Sequence, residues 1–270
     1  MNFKPVIVLF LAAFAWVGCS PYQKLLNSDD MALKYKEAEK YYNAGEHRKA
    51  NRLLEQVVPS YRGKPQAERV IFFFADTYFL KEEYFLAAYQ FENFAKTYPR
   101  SERVEEARFK AAKAYYEVSP RYSLDQKDTQ TAIEKLQFFM DTYPNSDRAI
   151  EANQMIAELQ TKLEKKSFEI SKQYHTIRDF RAAIQAFDNF IVSFPGTKFR
   201  EEAMYYHFLS HFEIAVNSIR SKQLERLNEL VTLHETLIRY YPDTIFLEDL
   251  ENKMDTVQKL IGGFEAVATP

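Results

Sequence analysis

Apolar side chains return along this chain in one fixed frame. With Ala50, Ala87, Ala132 and Ala183 as anchors, Leu54, Phe91, Leu136 and Phe187 stand four residues on, and Val57, Phe94, Phe139 and Phe190 seven residues on. These spacings fall on one face of an α-helix, so each set predicts a helix with one buried stripe. Twelve residues past the last three anchors come Pro99, Pro144 and Pro195, each preceded by Tyr98, Tyr143 or Phe194. Proline cannot continue a helix and ends each of these B helices. Ser101, Ser146 and Thr197 follow two residues later, placed as N-caps for the next helix. A fifth set reads Leu230, His234, Leu237, Tyr241-Pro242 and Thr244.

A partner A helix repeats upstream. Ala38, Ala75 and Ser171 stand twelve residues before three of the anchors, with Tyr41, Tyr78 and Tyr174 three residues after each. The small residue lets two helices approach closely, and the tyrosine fills the next layer. This order of small residue, Tyr, turn, Ala, Phe and Pro resembles the tetratricopeptide repeat. About five units cover residues 31–242, and the expected fold is an all-α solenoid of about five helix pairs.

The departures from the repeat carry their own expectations. Ala112 and Tyr115-Tyr116 match an A helix, but Ala132 comes eight residues late, so Ser119 to Gln126 is a loop a plain repeat does not need. Pro144 to Ser171 spans 27 residues, against 13 from Pro99 to Ala112. The surplus predicts one long helix over 147–175, about 43 Å, between repeats 3 and 4. Its Lys162-Leu163-Glu164-Lys165-Lys166 stretch reads as a solvated face. The fifth repeat has a lengthened turn near Asn217–Glu225, and Thr244 to Leu260 reads as a capping helix stopped by Gly262-Gly263. The implied modules are 31–146, holding repeats 1–3, and 147–261, holding the long helix, repeats 4–5 and the cap, with 262–270 as a tail.

Ahead of the repeats, one positive charge at Lys4 is followed by an unbroken apolar run, Val6 to Val17. As a helix that run rises about 18 Å, short of the roughly 30 Å of bilayer hydrocarbon. It has the proportions of a signal peptide, residues 1–18. Gly18-Cys19 at its end resembles a bacterial lipobox, with Trp16 where the usual pattern has leucine. The resemblance implies cleavage before Cys19 and acylation of its thiol and amine, followed by a lipidated linker over 19–30. Ser20 rather than aspartate in the second mature position implies the outer membrane. With no acidic cluster in Ser20-Pro21-Tyr22-Gln23-Lys24, the expected place is the periplasmic face of a Gram-negative outer membrane. Cys19 is the single cysteine, and a lone thiol would be a liability in an exported protein unless acylation consumes it; an ordinary secretory signal with an incidental thiol is the alternative.

Composition agrees with helices. The chain is rich in Tyr and Phe and has six glycines in 270 residues. Loss of residues 1–18 removes Lys4, their one charged side chain, and moves the formal charge from −2 to −3. Near-neutrality without a long basic run argues against a nucleic-acid partner. No glycine-rich phosphate loop, metal-ligand spacing or nucleophile elbow occurs. His207 and His211 are i, i+4, but Phe208-Leu209-Ser210 lie between them and no third ligand is evident, so they read as packed or surface histidines. The expectation is a binding scaffold rather than an enzyme, without metal or cofactor beyond the lipid.

Binding is expected on the A helices, which line the concave side of such arrays. Tyr35, Phe72 and Phe109 stand three residues before the small A-helix residue, and Tyr42, Phe79 and Tyr116 four after it. These six rings, interleaved with Glu39, Asp76 and Lys113, form a candidate groove for an extended or turn-like peptide with aromatics of its own. Packing of some rings between neighbouring A helices is the alternative.

The lipidated cysteine, the linker, five repeats with aromatic-Pro-x-Ser/Thr ends and the insertion carrying Asp125-Gln126 together resemble the BamD family of β-barrel assembly lipoproteins. That resemblance implies binding of unfolded outer-membrane proteins near the N-terminus. It further implies docking of BamA, the barrel-forming insertase, by the C-terminal repeats, alongside other assembly-complex subunits. Another periplasmic tetratricopeptide lipoprotein, coordinating peptidoglycan synthesis or Tol-Pal function, is the alternative; a nutrient-binding lipoprotein ranks below it.

Overall fold

The computed structural model describes residues 21–268, with side chains to Phe264; the signal segment and Cys19 lie outside the described residues. Among these residues the chain forms twelve α-helices and no strand. In order they are α1 (Pro21–Leu26), α2 (Met31–Asn43), α3 (His47–Tyr61), α4 (Ala67–Leu80), α5 (Tyr84–Thr97) and α6 (Val104–Val118). There follow α7 (Lys127–Thr142), α8 (Ala149–Thr176), α9 (Phe180–Ser193), α10 (Arg200–Val216), α11 (Arg220–Tyr240) and α12 (Leu247–Ala268). From α2 to α11 they alternate as A and B helices of tetratricopeptide-type pairs, and α12 covers the last pair.

The repeating frame is the buried frame. Ala50, Ala87, Ala132 and Ala183 are fully buried, as are the apolar residues four and seven positions after each. Ala38, Ala75, Ala112 and Ser171 are buried opposite them. Two turn chemistries join the helices. Three of the A–B turns, in the first, second and fourth repeats, pass through one left-handed residue five positions before the anchor: Gly45 at φ 75°, Glu82 at 63° and Arg178 at 65°. There the Glu46 N–H donates to Tyr41 O and Gly45 N–H to Tyr42 O, the paired bonds of a Schellman cap, repeated at Glu83/Tyr78 and Asp179/Tyr174. From the second repeat on, B helices end where an aromatic precedes proline, because that residue is pushed out of the α region; Tyr98, Phe194 and Tyr241 sit at φ −122°, −129° and −134°.

Ser101, Ser146, Thr197 and Thr244 are not the N-caps themselves. Each side-chain oxygen accepts the backbone N–H two residues on, at Arg103, Arg148, Phe199 and Phe246, and so shapes the turn that leads into the helix. Tyr174 also departs from its expected place. It is 38% exposed, and His175 packs against Phe180 and Tyr206.

The chain divides into two compact units, and the division falls inside α8, after Ile156, rather than at 146. The first unit holds repeats 1–3 and the start of α8; the second holds the rest of α8, repeats 4–5 and α12, together with the insertion over 120–127. α8 is the expected long helix, about 42 Å by its rise per residue. Ala152 and Leu159 in its first half and Phe168 and Ser171 in its second are buried. Its lysines are not simply solvated. Lys166 Nζ donates to Leu124 O at 2.5 Å and Lys165 Nζ lies 4.4 Å from the Tyr122 ring, which holds the insertion against the helix.

Three further boundaries differ from expectation. Residues 21–30 are not a bare linker, because α1 docks on the first repeat. Tyr22 meets Tyr41 edge-on at 5.4 Å, its hydroxyl donates to Lys49 O at 3.1 Å, and Leu26 is buried in the same core. Residues 217–219 alone interrupt α10 and α11, since Gln223 Nε2 donates to the terminal carbonyl of Val216 at 3.1 Å and lets α11 start early. α12 runs through Gly262-Gly263 to Ala268. A helical glycine costs only about 1 kcal/mol, and here Arg220 donates to Gly263 O at 3.2 Å and stacks on Phe264 at 4.4 Å.

Candidate functional site

In the first unit, side chains from the A helices α2, α4 and α6 meet in one connected wall. Tyr42 of α2 stacks on Phe73 of α4, with centroids 4.9 Å apart and planes 14° off parallel. The Tyr42 hydroxyl donates to Asp76, whose other oxygen accepts from Lys110 of α6 at 2.5 Å; Lys110 also pairs with Glu106 at 3.2 Å. Asp76 is a buried carboxylate with two donors, the condition under which a buried charge is tolerated. Burial and the Asp76 carboxylate push the Tyr42 phenol well above its usual range, so it remains a neutral donor.

The pattern extends to both sides. Tyr35 donates to Glu39 at 2.8 Å, and Glu39 pairs with Arg69 of α4 at 2.7 Å. Burial, then the Glu39 carboxylate, raises the Tyr35 phenol to about 12. Lys113 of α6 reaches Glu151 at the start of α8 at 2.8 Å. Adjacent A helices are thus joined by charge-assisted bonds across what the sequence marks as the groove.

Of the six predicted groove rings, Tyr35, Tyr42, Phe79 and Tyr116 keep partly exposed positions. Phe72 and Phe109 do not line the groove; they are 2% and 5% exposed. Phe72 packs edge-on to Phe91 and Phe94, and Phe109 packs on Phe139. Guanidinium groups cover both, Arg103 at 4.8 Å from the Phe72 ring and Arg148 at 5.7 Å from Phe109. The ring that reaches the wall is Phe73, which also has Arg69 at 5.2 Å and Arg103 at 5.6 Å. The covering cations follow from the turn: Arg103 and Arg148 are the residues after Ser-x in the aromatic-Pro-x-Ser turn. Their counterparts in the second unit are Phe199, stacked on Phe168, and Phe246, stacked on Tyr205 at 4.0 Å.

The second unit carries the histidines. His207 and His211 stand with ring centroids 4.6 Å apart. His207 Nε2 lies 3.0 Å from Asp188 Oδ1 without well-aligned hydrogen-bond geometry, and His211 faces Glu229 at 3.7 Å. Burial lowers the pKa of both, His207 to about 4. Among the described residues no cluster of three or more His, Cys, Asp or Glu could hold a metal ion, and no helix is long and apolar enough to cross a membrane.

Comparison with curated proteins gives no match. Among solved structures, the TPR2AB-domain:pHSP90 complex of yeast Sti1 is similar at 13% identity and a TM-score of 0.38, over 84% of this chain and 98% of that one. A Podospora anserina protein described as a kinesin light chain, with nearly identical TPR-like repeats, is similar at 14% identity and a TM-score of 0.34, over 77% of this chain and 96% of that one. The model of one protein family, outer membrane lipoprotein YfiO, matches residues 27–187 and 164–267. With nearly all the described residues inside that match, the chain belongs to the YfiO, or BamD, family of outer membrane lipoproteins.

Proposed function

We propose that this protein is a non-enzymatic scaffold of β-barrel assembly, held by lipid on Cys19 at the periplasmic face of the outer membrane. Its first unit receives segments of unfolded outer-membrane proteins, and its second docks a BamA-like insertase and brings the two together. Family membership supports the setting. The observation that supports substrate binding is the A-helix wall around the Tyr42–Phe73 stack. A neutral hydroxyl, flat aromatic faces and matched charges on one surface suit an extended segment of alternating aromatic and polar side chains.

The test is a titration of the lipid-free chain with a peptide from the C-terminus of an outer-membrane barrel. Replacing Tyr42 and Phe73 together by alanine is expected to weaken binding by about tenfold or more, since loss of a central aromatic contact costs about 2 kcal/mol. Replacing exposed Val192 in the second unit leaves binding unchanged. Equal affinity of the double variant and the parent would refute the assignment of substrate to this wall.

A further inference from the structure

The helices of each pair run antiparallel, so within the first unit the A–B turns of the first two repeats lie along one edge and the B–A turns along the other. Helix α5 separates the two edges by about 21 Å. The docked helix α1 fixes which edge the chain's N-terminal side leaves from. Tyr22 donates to Lys49 O in the first turn of α3 and packs on Tyr41 in the last turn of α2, and both lie at the A–B edge. Cys19 stands two positions before Pro21 in the sequence.

The same edge carries exposed apolar side chains. Leu80, at the end of α4, is 42% exposed; Phe85 and Leu86, in the first turn of α5, are 61% and 47% exposed. Leu80, Lys81 and Glu82 line one surface cavity with Gly45 to Lys49, so the two turns are neighbours. Charge at this edge is balanced: Glu46 pairs with Lys49 and Glu83 with Lys81. With Arg48 and Glu82, which line the same cavity, these turns carry three cations and three carboxylates, and a phenylalanine beside two leucines is the composition that partitions into a bilayer interface.

We propose that the A–B edge of the first unit, centred on Leu80, Phe85 and Leu86, lies in the headgroup region of the membrane that holds the lipid anchor. It acts as a second membrane contact beside Cys19. A short tether alone leaves the unit free to swing; an apolar edge next to the tether fixes which side faces the bilayer and leaves the A-helix wall accessible from the aqueous side. The inference rests on lipidation at Cys19.

The one tryptophan, Trp16, belongs to the signal segment, so the mature chain offers a dark background for a reporter. Lipidated full-length protein carrying Phe85→Trp, and separately Leu86→Trp, is placed on phosphatidylethanolamine–phosphatidylglycerol vesicles with brominated acyl chains. Ile150→Trp, at the opposite edge and 73% exposed, is the comparison. Circular dichroism first establishes that each variant is folded. The expected result is blue-shifted emission and loss of most fluorescence at positions 85 and 86, with little change at 150. Vesicle-bound protein whose tryptophans at 85 and 86 are quenched no more than that at 150 overturns the edge assignment while leaving the lipid anchor standing. Protein that does not float with vesicles overturns the anchor, and the proposal with it.

Discussion

Phe72 and Phe73 are neighbours in sequence and opposites in environment. One helical step of 100° separates a ring sealed between Phe91, Phe94 and Arg103 from a ring stacked on Tyr42 at the wall. Phe72→Ala is therefore expected to destabilise the first unit by about 3–5 kcal/mol, as for other buried phenylalanines. Phe73→Ala should cost clearly less while weakening peptide binding. Urea unfolding of both variants checks this, and equal losses would place both rings in the core. Gly45 gives a second test at this scale. Its φ is 75° and a Cβ there would meet nothing within 4 Å, so Gly45→Ala is penalised by backbone conformation alone. A loss of about 1–2 kcal/mol is expected; a neutral result would mean the turn relaxes out of the left-handed region.

At the scale of helices, the histidines of α10 set a pH dependence. His207 titrates near 4 in the folded protein because it is buried, with His211 beside it, while Asp188 pulls the other way. An unfolded histidine titrates near 6.5. Between those values the unfolded chain holds a proton that the folded chain refuses, so stability falls as pH falls from 6.5 toward 4. For His207 the loss reaches about 3 kcal/mol at the bottom of that window. His211, opposed by Glu229 and Asp188, and His234 and His175 are also lowered by burial and add with the same sign. Melting curves from pH 7.5 to 4.5 should show a falling Tm for the second unit, flattened by His207→Phe; a Tm that rises toward acid contradicts this. The helices themselves were legible because each writes its small residue and its aromatics at fixed offsets, and burial follows those offsets. What stayed hidden is non-local. Arg103 and Arg148 cover rings of the preceding A helix, Lys165 and Lys166 bind an insertion some forty positions upstream of Lys166, and Arg220 holds α12 past its glycines. Periodicity within one helix carries no record of such contacts. Phe73 was missed for a related reason: Ile71-Phe72-Phe73-Phe74 is apolar on every side, and the neighbouring helix decides which ring is left at the surface.

At the scale of the molecule, the chain combines an outer-membrane lipoprotein family, two compact helical-repeat units and a docked helix leading directly to the cysteine expected to carry lipid. The proposed role requires both units in one chain, one to receive a substrate segment and one to meet the insertase. Affinity purification of the tagged, lipidated protein from detergent-solubilised outer membrane tests that role most directly. The predicted result is recovery of a BamA-like barrel together with unfolded outer-membrane proteins. Recovery of Tol-Pal or peptidoglycan-synthesis components without such a barrel would contradict it.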